Sequence, residues 1–390
     1  MIKSKLNVTS LFYLDESILN KDFFLVPLYL TKHLHGEFNF VYPQNAYNLN
    51  YPSEYRGAHL IPIKSDSEFS FSLWKERQSI LYMIKHAKKI DVLFLVWLNH
   101  RSLLLAYIYK LINRKGICFV KGDLNSESFS PTQSRGLFSI IKEKFRAILH
   151  RNVDVFSCET EVSYAAVKSG VLGEYLSDRV YHLPNCFDED TREVLHVKVR
   201  PFGDKEDIIL VVGRIGADCK NHEMILEALS GLDLNNWKVI FIGNIADNFK
   251  VAIETFFNDS PKLKDSVIFT GPIYAKDELW EYYSRSKVFL MSSDKEGFPN
   301  VFPEALRFGC FIITTEVDAA FDITNHGEVG KIIKKGDVQN LRQFLKHELI
   351  SNKIDFEVHY QAAIRLASDK FLWSSNMKRL VDAKFTTLQK

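Results

Sequence analysis

The chain is poor in cysteine and lacks any long apolar run. Its five cysteines, Cys118, Cys158, Cys186, Cys219 and Cys310, are odd in number, far apart and never spaced as C-x-x-C. That pattern excludes a disulfide framework and a structural zinc site. The longest apolar stretches, 92–98 and 103–108, are separated by Asn99-His100-Arg101 and fall well short of the ~20 residues that cross a bilayer. The first residues lead into no signal-peptide block. Excess charge of one sign is also missing. Fifty Lys plus Arg oppose 48 Asp plus Glu, a net charge of +2, which argues against a dedicated nucleic-acid binder. With 18 Gly and 11 Pro, collagen-like and Pro-rich architectures are excluded as well. A cytoplasmic protein is expected, with attachment to the inner face of the cytoplasmic membrane left open.

What is present fits a globular chain with core enough for two domains: 390 residues, 46% hydrophobic and 25% charged. Short apolar runs alternate with helix-periodic stretches. Strands are expected at 208–212, 238–242, 267–270, 288–291 and 311–314, with helices at 222–229, 277–286 and 301–308 between them. The first half is less regular, with strands expected at 38–41, 92–98, 117–120, 153–157 and 180–183, and helices at 15–35, 73–89, 103–114 and 137–150. Such alternation implies β-α-β units and a doubly wound parallel sheet in each half. A charged segment, 188–206, contains Asp188-Glu189-Asp190, Pro201 and Gly203 and reads as the interdomain linker.

Two segments carry the chemistry. The first runs from Met291 to Cys310. A strand ends, a loop follows with Glu296, Gly297, Phe298, Pro299 and Asn300, and a helix opens near Val301 with Pro303 in its first turn. Backbone N–H groups at such a helix start suit an anion, and Gly297 admits close approach of a ligand. Glu296 and Glu304 can both face a ligand at the sheet's C-terminal edge. The alternative is a capping carboxylate plus an exposed helix glutamate. The second segment, 210–223, ends a buried strand at Gly213 and places Arg214 and Lys220 on the loop before the next helix. Two cations there would neutralise a diphosphate, and a solvated strand–helix turn is the other reading. Neither the Walker A spacing nor Gly-x-Gly-x-x-Gly is present.

Together these segments resemble a family 4 glycosyltransferase of the GT-B fold. The resemblance covers about 208–334 and rests on Gly213-Arg214 with Lys220-Asn221, on Phe269-Thr-Gly-Pro-Ile-Tyr274, on Tyr282-Tyr-Ser-Arg-Ser-Lys-Val-Phe-Leu-Met-Ser-Ser293, on Glu296-Gly-Phe-Pro-Asn through Glu304 to Gly309, and on Phe371-Leu-Trp373. It implies an α/β, GT-B architecture of two Rossmann-like domains facing a deep cleft. An acceptor domain would span 1–198 and a donor domain 199–374, and a C-terminal helix, 375–390, would pack back on the first domain.

The resemblance also implies roles. Arg214 and Lys220 would bind the donor diphosphate, Glu304 the ribose hydroxyls and Glu296 the sugar hydroxyls. The backbone of Gly297, Phe298, Pro299 and Asn300 would contact sugar and phosphate, and Ile273 and Tyr274 would lie near the base. The implied activity is a retaining, hexosyltransferase-type transfer from a nucleotide-diphosphate sugar to a glycan or lipid-linked saccharide, in cell-surface polysaccharide or lipopolysaccharide synthesis. No cofactor and no metal are expected, and no nucleic acid is an expected partner. The competing readings are another GT-B nucleotide-sugar enzyme, such as an epimerase or a phosphorylase, and a non-catalytic carbohydrate-binding protein.

The chain departs from the family in two places. Asp318-Ala-Ala-Phe-Asp322 stands where many members carry Gly-Gly-x-x-Glu. Thr9-Ser-Leu-Phe-Tyr-Leu14, followed by Asp15-Glu16, replaces a Gly-Gly loop. On the acceptor side, Asp123 in Lys121-Gly-Asp123 and His100 after Trp97-Leu-Asn are candidates, each with a structural alternative: an Asx turn or cap for Asp123, a satisfied histidine for His100. The stretch 135–151 is basic and amphipathic, so an anionic membrane surface and a core-facing helix are both open to it. The near-neutral total hides an uneven spread. Residues 1–200 hold 26 basic and 21 acidic side chains, so the donor half must depend on a few placed cations.

Overall fold

The computed structural model describes residues 5–45, 48–64, 76–129, 147–191, 197–351, 353–386 and 388. It divides into two units, Met1–Pro184 with Trp373–Lys390, and Asn185–Leu372.

The first unit runs β1 (Asn7–Leu11), α1 (Asp22–His33), β2 (Glu37–Pro43), β3 (Glu54–Tyr55), β4 (Ala58–Ile63), α2 (Arg77–His86), β5 (Val92–Val96), α3 (His100–Ile112), β6 (Ile117–Lys121), β7 (Val155–Cys158), α4 (Glu161–Lys168), α5 (Glu174–Ser177) and β8 (Val180–His182). The strands pair in the order β3-β4-β2-β1-β5-β6-β7-β8, all parallel except the β3–β4 edge. A parallel sheet covered on both faces has strands apolar on both faces, as Val92–Val96 is throughout. Leu93, Leu95, Val120 and Phe156 pack on one side against Met83 of α2 and Leu103, Ala106 and Tyr109 of α3. The helix Trp373–Lys384 belongs to this unit. Trp373 lies 6.4 Å from Tyr29 of α1, and Phe385 lies 6.1 Å from Phe119. Helix starts are set by side-chain caps: Asn99 accepts from the Ser102 amide at 3.0 Å and Thr160 from the Ser163 amide at 3.1 Å.

The second unit runs β9 (Glu206–Val212), α6 (His222–Leu229), β10 (Lys238–Ile242), α7 (Asp247–Asp259), β11 (Val267–Gly271), α8 (Lys276–Arg285), β12 (Ser286–Met291), α9 (Val301–Arg307), β13 (Phe311–Thr315), α10 (Ala320–Thr324), β14 (Gly330–Ile333), α11 (Val338–Phe344) and α12 (Phe356–Lys370). Its six strands are parallel in the order β11-β10-β9-β12-β13-β14. In each unit the order reverses beside the first strand, between β1 and β5 and between β9 and β12. Such a switch point opens a crevice at the strands' C-terminal ends.

The unit boundary falls at 184/185, upstream of the expected 198/199. The segment expected as a linker therefore lies within the second unit. Phe187 explains the shift: it is buried against Trp280 and Phe308, and its amide donates to the Phe371 carbonyl at 2.8 Å. The crossing back to the first unit comes between Leu372 and Trp373, two residues before the expected 374/375. Of the basic stretch 135–151, positions 135–146 lie outside the described residues. Among the described residues no helix is long and apolar enough to cross a membrane.

Candidate functional site

The switch point of the second unit gathers most of the residues singled out from the sequence. Gly213, Arg214 and Lys220 follow β9, and Glu296 through Asn300 follow β12. Three hydrogen bonds stitch the two loops together. The Asp294 amide donates to the Cys219 carbonyl at 2.9 Å, the Ser292 hydroxyl to the Lys220 carbonyl at 2.8 Å, and the Asn221 amide group to the Asp294 carboxylate at 3.1 Å. Asn221 sits in the left-handed region, φ 46°, and its side chain also caps α6 by accepting from the Met224 amide. Across this frame Lys220 forms an ion pair with Glu296, while Arg214 is exposed.

Two glycines make the β9 loop sterically feasible. Gly243 at the end of β10 has φ 148°, and a Cβ there would lie 1.7 Å from the Gly213 carbonyl oxygen. Gly216 has φ 79°, and its Cβ would strike the Phe249 ring. The Gly216 amide donates to Nδ1 of His222 at 3.0 Å. Burial, reinforced by Lys220, lowers the His222 pKa to about 4, so the imidazole is neutral and can accept.

A testable consequence follows for pH. A histidine whose native pKa is depressed contributes stability that is full above its unfolded pKa and is lost as pH falls through the native value. The second unit is expected to lose stability between about pH 6.5 and about 4, read as a falling melting temperature. His222→Gln should flatten that slope; an unaltered slope would remove the role.

Glu304 lies one turn into α9 and is buried. Lys276 at the start of α8 pairs with it, and the Trp280 indole N–H donates to its Oε1 at 3.3 Å. Burial, followed by the charge of Glu304, pushes the neighbouring Tyr283 phenol well above its usual range. Lys276 and Trp280 were not anticipated from the sequence, where Lys276 precedes the expected helix 277–286 and Trp280 lies within it; a single chain offers no signal linking them to Glu304.

The other expected residues divide. Ile273 packs partly buried against the core, and Tyr274 beside it is 82% exposed. Gly297, Pro299 and Asn300 are half-buried on the loop. Phe298 was expected to contact a ligand through its backbone. Its ring is buried 5.7 Å from Phe371, and its carbonyl already accepts from the Asn185 side chain at 2.7 Å, which leaves its N–H as the group open to a ligand. Asp322 is buried within α10.

In the first unit, Asp123 is exposed just past β6 and accepts from the Trp97 indole N–H at 3.3 Å. Trp97 itself has φ 62°, a strained conformation for a bulky residue, held at the β1/β5 switch point with Phe12 at 5.3 Å and Phe23 at 5.6 Å. His100 is the exposed first residue of α3. Asp15, in the segment that replaces the Gly-Gly loop, accepts from the Ser17 amide and hydroxyl and from the Ile18 amide, which makes it a local turn cap. Directly beneath Asp123 lies an arrangement the sequence did not reveal. Lys121 is wholly buried between Asp22, at 2.9 Å, and Glu159.

Comparison with known proteins bears on the family and on the fold. Residues 195–358 match the family described as glycosyl transferases group 1. A capsular polysaccharide biosynthesis glycosyltransferase, CapM of Staphylococcus aureus, is 29% identical over 139 residues, 35% of each chain. The sulfoquinovosyl transferase SQD2 of Arabidopsis thaliana is 25% identical over 185 residues, 47% of this chain and 34% of that protein. The chain therefore spans about a third of the length of each curated relative it matches. Among solved structures, sucrose-phosphate synthase from Thermosynechococcus elongatus superposes with a TM-score of 0.70 at 14% identity, covering 99% of this chain and 100% of that one. The lipopolysaccharide outer core galactosyltransferase WaaB gives 0.67 at 15% identity, covering 98% and 100%. Anabaena HepE, in complex with UDP and glucose, gives 0.66 at 14% identity, covering 97% and 99%. These likenesses establish the GT-B type of fold with its two parallel-sheet domains.

Proposed function

We propose that this chain, which carries a glycosyl transferases group 1 domain over residues 195–358, transfers a hexosyl group from a nucleotide-diphosphate sugar to a glycan or lipid-linked saccharide in cell-surface polysaccharide or lipopolysaccharide synthesis. The observation that carries this reading is the meeting of Lys220 and Glu296 across the β9/β12 switch point, with Arg214 exposed on the same β9 loop and Glu304 held on the adjoining helix. Cations suit a diphosphate, and carboxylates suit sugar and ribose hydroxyls. On binding, the donor separates the Lys220–Glu296 pair. Lys220 turns to the phosphates with Arg214, and Glu296 accepts from the sugar hydroxyls. Ile273 and Tyr274 flank the base, while the N–H groups of Gly297, Phe298 and Asn300 lie along sugar and phosphate.

The transfer proceeds with retention. The bond from the anomeric carbon to the diphosphate oxygen breaks, and the acceptor hydroxyl adds to the same face. Its proton passes to the leaving phosphate. Developing charge on that phosphate is met by Arg214 and Lys220, without a metal. Glu296 and Glu304 are positioning groups, and Asp123 and His100 orient the acceptor. Membrane attachment through 135–151 on the cytoplasmic side belongs to this proposal.

The test is turnover of a nucleotide-sugar panel, read as nucleoside diphosphate release with and without acceptor. Acceptor-dependent release supports transfer. Interconversion of the sugar without release would indicate an epimerase, and binding without turnover a non-catalytic lectin-like role. Glu304→Ala is expected to weaken binding of the matching nucleoside diphosphate about 10- to 100-fold, the worth of hydrogen bonds to a charged acceptor. Calorimetric titration reads this directly, and unchanged affinity would refute the ribose role.

A further inference from the structure

Outside the switch points, the outer faces of α2 and α3 stand apart from the rest of the surface. Both helices lie on the same face of the first unit's sheet and pack against each other, joined by Arg101 of α3 to Glu76 at 2.7 Å. Their outer stripes therefore face the same way.

On α2 the exposed positions Arg77, Leu81, Ile84, Lys85 and, just beyond the helix, Lys88 recur at helical spacing and fall on one side. On α3 they are Tyr107 and Leu111, followed by Arg114 and Lys115. Four large apolar side chains are thus left to solvent: Leu81 is 47% exposed, Ile84 54%, Tyr107 39% and Leu111 57%. An amphipathic helix in a globular protein normally turns its polar side outward. Here the outward side is apolar and basic together.

The charge is one-sided. Between 77 and 115 the chain carries eight Lys plus Arg and a single acidic residue, Asp91. Asp91 is engaged by the Asn7 amide at 2.7 Å, and Lys110 and Arg101 are paired to Asp154 and Glu76. That leaves Arg77, Lys85, Lys88, Lys89, Arg114 and Lys115 exposed and without an ion pair among the described residues. His86 does not add to this charge near neutral pH. Burial, then Lys85 and Lys89, lowers its pKa.

We propose that the α2–α3 face is a docking surface for an anionic lipid bilayer. Leucine and isoleucine on two side-by-side helices enter the boundary between headgroups and acyl chains, Tyr107 sits at headgroup level, and the flanking lysine stems carry their ammonium groups to the phosphates. The proposal is independent of the transfer reaction. It uses side chains of α2, α3 and the residues just beyond them, none of which belongs to 135–151.

The test is flotation of the full chain with phosphatidylcholine vesicles that contain or lack phosphatidylglycerol. Wild-type protein is expected on the anionic vesicles, absent from the neutral ones and released by salt. Two variants separate the contributions: Leu81→Ser with Ile84→Ser and Leu111→Ser, and Lys85→Glu with Lys88→Glu and Lys89→Glu. Each should reduce partitioning at least about tenfold, with melting temperature and nucleoside diphosphate binding retained. Wild-type protein that stays off anionic vesicles at low salt overturns the proposal. So does wild-type partitioning by both variants, which would move the contact to another basic surface. Undiminished binding by the serine variant, together with equal retention on immobilised polyglutamate, would mean an acidic macromolecule is the partner instead. None of these readouts uses turnover, so failure here is distinguishable from failure of the glycosyltransferase reading.

Discussion

Lys220→Ala is expected to lower sugar transfer by about three orders of magnitude while the fold persists. The backbone of this residue is fixed independently of its side chain. Its carbonyl accepts from Ser292, its amide donates to the Ala217 carbonyl at 2.7 Å, and Asn221 caps α6 immediately after it. Removing the ammonium therefore leaves the loop in place and takes away one of the two cations at the proposed diphosphate position. The leaving group gains charge mainly as the glycosidic bond breaks, so the loss falls chiefly on kcat. Arg214→Ala should cost a similar factor, and the double variant less than the product, because both act on one group. A purely structural role for the Lys220–Glu296 pair predicts something else. The side chains of this pair are only 15% and 20% exposed, so Lys220→Ala and Glu296→Ala would each show a fall in melting temperature, with near-normal turnover. Near-normal turnover in both Lys220→Ala and Arg214→Ala would sink the diphosphate assignment.

The second unit was largely legible because its strands are continuous apolar runs between turn residues. Lys238–Ile242 and His222–Leu229 have the expected limits, and β9, β11, β12 and β13 extend by one or two residues. The first unit was harder. β1 carries Thr9 and Ser10 at buried positions, so it lacks the apolar signature. β4 contains Pro62, which lowers strand propensity, and only its parallel pairing with β2 reveals it. β14 follows a turn that the eye assigns to a loop. Motif residues on one loop, such as Glu296 through Asn300, are close in space because they are close in sequence. Contacts between distant segments are not: Lys276 meets Glu304 across 28 positions, and Lys121 meets Asp22 across roughly a hundred.

Lys121 shows what that blindness conceals. It follows directly on the expected strand 117–120, with no sign in the sequence of burial, yet it is among the most deeply enclosed side chains of the protein. Burial alone would favour the neutral amine. Asp22 and Glu159 together outweigh it and hold the ammonium above the usual lysine range. Burial also pushes the Glu159 carboxyl up; Lys121 opposes that rise, and Asp22 and Asp123 add to it. Lys121→Met removes the cation and leaves two carboxylates closed off from water. Breaking a buried pair in this way costs about 3–5 kcal/mol, enough to unfold the first unit or send the chain into aggregates.

The pH dependence identifies the cause. A carboxyl whose native pKa is raised destabilises the fold above its unfolded pKa, and that penalty vanishes as pH falls below it. The melting deficit of Lys121→Met should therefore be greatest at neutral and alkaline pH and shrink toward pH ~4. Replacing Asp22 and Glu159 by leucine in the same chain should restore most of the lost stability, since a buried ion cluster exchanged for apolar groups of similar volume is close to neutral. That variant keeps the test open if Lys121→Met is insoluble. A melting deficit that does not change with pH, or no recovery in the triple variant, would mean that Lys121 matters for its packing and not for its charge. Because Lys121 is followed directly by Gly122 and Asp123, the same variants report on the acceptor role proposed for Asp123. If the triad also orients Asp123, the triple variant regains its melting temperature but keeps a raised KM for the acceptor, and the KM for the donor stays as it was.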